Sequence, residues 1–132
     1  MIQIVSLIAL TLAGAQNPPP RPAPFARPTL MQPLTAAATG GCVLDAGDGA
    51  LMAAVGQTAA VRIEGRTVAL SGPDAGIGGG HWTGDTVRVH VMPAPDRAAP
   101  RVNGSTVRGP VRVGVSVGDR FESFEATWTC PA

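Results

Sequence analysis

The sequence predicts an all-β domain, a small antiparallel β-sandwich or barrel of about seven or eight short strands closed by one disulfide. Three features lead there. Apolar residues recur at every second position through most of the chain beyond residue 60. Clusters of Gly, Pro and Asp interrupt these runs at short intervals. Two cysteines, Cys42 and Cys130, bracket the patterned region, and no segment carries the helical period for three turns or more.

Residues 1–15 read as a signal peptide. Ile2 to Ala15 form an apolar run of h-region length, too short to cross a bilayer as a helix, ending in Ala13-Gly14-Ala15. That small-x-small ending predicts cleavage before Gln16. No Cys follows the small residues, so a lipid anchor is not expected, nor is stable membrane insertion after cleavage. Residues 16–38 read as a Pro-rich, disordered linker, with Pro at 18, 19, 20, 22, 24, 28 and 33. Repeated Pro fixes φ and removes amide donors, which disfavours a helix or a central strand and favours an extended tether.

The β domain is expected over 39–132, roughly ninety residues and enough for one modest core. In an oxidising compartment Cys42 and Cys130 have only each other to pair with, and their bridge ties the first strand to the last. Asp45-Ala46-Gly47-Asp48-Gly49 has the start of a calcium loop but lacks its later ligands, so an Asp-Gly turn is expected. Ala50 to Val55 suits a helical turn by propensity and a strand by context; the strand is preferred. From Val61 to Leu70, a two-residue turn at Gly65-Arg66 would pair Ile63 with Val68 and Val61 with Leu70, all on one face.

Gly76 to Gly80 reads as a mobile loop, lacking the helix and Lys of a phosphate cradle. Val87, Val89 and Val91 alternate with polar residues, as do Val111, Val113, Val115 and Val117. Asn103-Gly104-Ser105 matches a glycosylation acceptor but reads as a tight Asn-Gly turn. Phe124, Ala126, Trp128 and Cys130 share one face of the last strand. Phe121 falls out of that phase, which a bulge near Ser123 or a longer turn at Gly118-Asp119 would restore.

Ten basic residues, all Arg, stand against nine acidic ones, a balance that gives no footprint for nucleic acid or an anionic membrane. The excess of Ala, Gly, Pro, Val and Arg follows G/C-rich codons and points to a bacterial source. No Gly-x-Ser-x-Gly elbow, free Cys or motif-placed carboxylate pair marks an active site, so no catalytic residue, metal or cofactor is assigned. The candidate binding residues are His81, Trp82, Asp85 and His90, which a hairpin turn at Gly84-Asp85 would gather.

The expected role is a non-enzymatic binding or interaction module of the bacterial cell envelope, periplasmic or secreted, with an envelope or secreted protein as partner. Two alternatives stand beside it: a structural envelope spacer, and a small metal-assisted hydrolase using His81, Asp85 and His90.

Overall fold

The computed structural model describes residues 28–35 and 40–132, and all of their regular secondary structure is β. The expected signal peptide and most of the expected linker lie outside the described residues. In chain order the strands are β1 (Met31–Gln32), β2 (Cys42–Asp45), β3 (Ala50–Val55), β4 (Thr58–Ile63) and β5 (Arg66–Ser71). There follow β6 (Gly80–Gly84), β7 (Val87–Pro93), β8 (Arg101–Asn103), β9 (Thr106–Val117) and β10 (Arg120–Pro131).

Eight of these strands hydrogen-bond in the order β4-β3-β2-β10-β9-β7-β6-β5, and β5 returns to β4. The ring is a closed antiparallel barrel, which decides between the two expected architectures. Every barrel strand has a neighbour on both sides, although β5 meets β6 only at Ser71↔Thr83. The other two strands extend the wall where a neighbour ends. β1 lies beside the last residues of β4, past the point where β3 leaves, and β8 lies beside the start of β9, past the end of β7.

Tight turns set the registers. Five hairpins close through the two-residue loops Gly56-Gln57, Glu64-Gly65, Asp85-Thr86, Gly104-Ser105 and Gly118-Asp119. The first residue of each loop has a positive φ, between 52° and 64°. Such turns match the right-handed twist of the strands they join.

The turn expected at Gly65-Arg66 sits one residue earlier, because Glu64 itself adopts a left-handed φ. Its partners are therefore Ile63↔Arg66, Val61↔Val68 and Ala59↔Leu70. Pairing slips by two residues, so the side chains stay on the expected face: Val61, Ile63, Val68 and Leu70 are all buried. Phe121 needs neither a bulge nor a longer turn. The β9–β10 register runs unbroken from Val117↔Arg120 to Thr106↔Pro131, which leaves Phe121 on the outer wall, 71% exposed. There its ring comes into contact distance of the space above Gly114, covering a position with no side chain.

The core fills the barrel. Leu44, Val61, Val89, Val115, Trp82 and Trp128 are fully buried, and the two indoles meet at 5.8 Å between ring centroids. An eight-stranded barrel is just wide enough for side chains to occupy its interior. Val residues of β7 and β9 supply one side of it, as their alternation predicts, and Ala50 to Val55 is the preferred strand. At Leu51 that strand carries a bulge between the pairs Leu44↔Met52 and Asp45↔Ala50. The extra residue lets two successive side chains, Leu51 and Met52, both be buried.

Cys42 and Cys130 are joined, both buried, where β2 meets β10. The bond ties the first barrel strand to the last across a separation of 88 residues.

Two expectations change. Leu30 and Met31, inside the stretch read as linker, are buried in the core, and Met31 and Gln32 pair with Ile63 and Arg62. The four residues between Pro28 and Pro33 are free of Pro, so a two-residue strand fits at the end of β4. Glu122 fastens this segment by accepting hydrogen bonds from the Thr29 amide (2.7 Å), the Thr29 hydroxyl (2.7 Å) and the Leu30 amide (3.0 Å). Nor is Gly76 to Gly80 a free loop. The connection from β5 to β6 packs Ala75 and Ile77 against the core, and the Gly76 carbonyl accepts a hydrogen bond from Trp128 Nε1 at 2.8 Å. A buried indole N–H requires an acceptor, and this backbone supplies it.

Candidate functional site

The expected cluster separates into three environments. His81 on β6 and His90 on β7 are direct partners across the hairpin, both exposed on the outer wall. Their rings stack at 5.3 Å between centroids with 25° between planes. The loop that fixes this pairing is Asp85-Thr86, one residue beyond the expected turn. Asp85 sits in that loop and forms an exposed ion pair with Arg66 at 3.7 Å. Trp82 faces the opposite way, fully buried in the core, and its Nε1 has no hydrogen-bond partner among the described residues.

A cleft of about 630 Å³ beside the hairpin is lined by His81, Asp85, Arg88 and Ser116, without His90. Among the described residues, no group of three or more His, Cys, Asp or Glu is placed to hold a metal ion. The Asp45 to Gly49 stretch is the expected turn: Asp45 Oδ1 accepts a hydrogen bond from the Gly47 amide at 2.6 Å.

A second region, which the sequence reading did not single out, lies on the outer wall where β8, β9, β10 and β2 run side by side. Two open clefts, of about 640 and 530 Å³, share Arg97, Arg108, Pro110 and Thr127 and so form one groove. Asp45 and Glu125 line one end, and Arg101, Val102 and Asn103 line the other. One bank is the segment between β7 and β8. Its Ala94 amide donates to the Pro110 carbonyl, Arg97 pairs with Glu125 at 2.6 Å, and Asp96 pairs with Arg112 at 2.7 Å. The hydrogen bond from the Arg112 guanidinium holds the Asp96 carboxyl below the usual carboxylate range.

Arg101 and Arg108 stand differently. The Gly104-Ser105 turn makes them direct cross-strand partners, both exposed, and among the described residues no carboxylate lies within ion-pair distance of either. Like charges facing each other across a ladder cost stability. An anion placed between them would remove that cost and find a forked donor on each side.

The signal for this pair was present in the sequence. Arg-Val-Asn-Gly-Ser-Thr-Val-Arg is a hairpin with an Arg at each end, and a two-residue Gly-Ser turn sets the two opposite one another. The expected Asn-Gly turn would set Arg101 opposite Thr106; the chain turns one residue later, with the left-handed Gly104 first in the loop, and that shift brings Arg101 opposite Arg108.

Comparison with protein-family models, with curated proteins and with solved structures finds no match.

Proposed function

We propose that the protein is an exported, non-enzymatic binding module of the bacterial cell envelope, periplasmic or secreted, that grips an acidic segment of a protein partner in the groove beside β8. The observation that carries this reading is the facing pair Arg101 and Arg108, without carboxylate partners among the described residues, on the wall of an open groove. Pro110, on the same outward face as Arg108, lines the same groove and gives the partner an apolar contact beside the two charges.

The rest of the molecule fits a scaffold for that surface. The barrel interior is occupied by side chains, which leaves the outer wall for binding. The buried disulfide suits an oxidising compartment.

Placing a photocrosslinking residue at position 103, on the same face of β8 as Arg101 and lining the groove, in the native host tests the reading. The expected result is one dominant adduct with an acidic protein, lost when Arg108→Glu is added. No adduct, or an adduct that Arg108→Glu leaves unchanged, would overturn it.

A further inference from the structure

His81 and His90 have no role in the groove, which lies on a different part of the wall. They remain two imidazoles set face to face on neighbouring strands, exposed, and held by a ladder that leaves their backbones little freedom. We propose that this pair is a two-histidine chelate for a divalent late transition metal ion, with Cu(II) held most tightly.

The argument begins with the hairpin. The Asp85-Thr86 loop fixes the register, and the pairs on either side, Gly80↔Val91 and Trp82↔Val89, bury Trp82, Val89 and Val91. Those buried neighbours hold the two histidines at the same level of the outer wall. Cross-strand partners bring their Cβ atoms within about 5.5 Å, so two imidazoles need only small side-chain rotations to direct one nitrogen each at a shared ion. Chelation by a rigid pair avoids most of the ordering cost that two independent side chains would bear.

The surroundings favour binding. His90 faces Gly114 on its other side, where the space above the glycine is covered by the Phe121 ring, so the pair is walled there by an apolar neighbour and no competing charge. Two nitrogen ligands leave the remaining coordination positions to water, which suits the tetragonal preference of Cu(II). For a given set of nitrogen donors, affinity rises through Co(II) and Ni(II) to Cu(II) and falls again at Zn(II). Arg88, the next outward residue on β7, puts a positive charge on the same face and keeps the affinity moderate.

Asp85, the carboxylate that sequence proximity suggested as a third ligand, is engaged with Arg66. The chelate stands on the imidazoles alone.

The test uses untagged, disulfide-intact protein titrated with Cu(II), Ni(II) and Zn(II) salts, read by calorimetry and, for Cu(II), by electron paramagnetic resonance. The expected result is one equivalent of Cu(II) bound in preference to the other two ions, with a spectrum of nitrogen coordination. Binding should weaken on acidification, because an imidazole must lose its proton to ligate. His81→Gln and His90→Gln should each reduce Cu(II) affinity by at least the roughly 10-fold that loss of even an outer-shell partner costs.

Both side chains are exposed, so the variants should melt with the parent protein, and thermal unfolding without metal checks that they fold. Asp85→Asn should leave Cu(II) affinity unchanged. Undiminished affinity in either histidine variant, loss of affinity in Asp85→Asn, or copper bound elsewhere would overturn the proposal.

Discussion

The two faces of β9 answer to different constraints. Inward, Val111, Val113, Val115 and Val117 are at most 8% exposed, one apolar type repeated at every second position. Outward, the same strand carries Arg108, Pro110, Arg112, Gly114 and Ser116, a mixture of charged, small and cyclic residues. The inner face is dictated by a barrel whose radius admits only packed apolar side chains. The outer face is free to vary, and its residues answer to partners outside the barrel. Stability should therefore reside in the interior and its fastenings, and recognition on the wall.

Several substitutions break or sharpen that contrast. The largest effect belongs to the disulfide. Replacing Cys42 and Cys130 with Ala frees a loop of 88 residues, which in the chain-entropy model costs about 4.5 kcal/mol. Urea unfolding of parent and variant measures it, and a loss under about 1 kcal/mol would show that the barrel closes without the bond.

The two tryptophans come next. Both are fully buried and they touch one another, yet only Trp128 has a hydrogen-bond acceptor, the Gly76 carbonyl. Trp128→Phe should destabilise more than Trp82→Phe by about 1 kcal/mol, since it breaks a bond and strands a carbonyl, while Trp82→Phe removes a donor that has no acceptor. Equal losses would mean that the connection between β5 and β6 adds nothing through Gly76.

Acid sensitivity should arise at Glu122. Burial pushes its carboxyl up, but hydrogen bonds from the Leu30 amide and from the Thr29 hydroxyl and amide outweigh this and hold it below its ordinary value. A group with a lowered folded-state value contributes stability above the unfolded value of about 4.3, and loses it as pH falls through the folded one. Melting temperature should fall less between neutral and strongly acidic pH in Glu122→Gln than in the parent.

The smallest effect lies on the wall. Arg108→Gln removes a facing like charge and should raise stability slightly, within the roughly 0.2–1 kcal/mol range of cross-strand pairs. A destabilised variant would show that Arg108 is satisfied by the fold itself.

How much of this was legible follows the same division. The period of two carried the inner faces of β4, β5, β7, β9 and β10, because burial on one face of a strand must repeat at that spacing. The disulfide followed from having two cysteines and no competitor. The left-handed φ of Glu64 was not legible, since an adjacent Gly offered the cheaper position for a turn. Leu30 and Met31 were hidden by the prolines around them. The docking of Gly76 depends on Trp128, 52 residues away, and nothing local signals it.

On the wall, His81 and His90 were found as a pair because one hairpin joins them. Asp85 was grouped with them because proximity in sequence was taken for proximity of side chains. Arg101 and Arg108 were hidden because Asn-Gly is the stronger turn signal, while the chain turns at Gly104-Ser105, one residue later.

The most direct test of this division is an amide chemical-shift titration of the isotopically labelled protein with oligoglutamate at low salt. Perturbations concentrated at Arg101, Val102, Asn103, Arg108 and Thr127, fading with added salt and absent in Arg101→Gln/Arg108→Gln while the core resonances stay in place, are the predicted result. Perturbations spread evenly over the exposed arginines, including Arg66 and Arg88, or none at all, would contradict it.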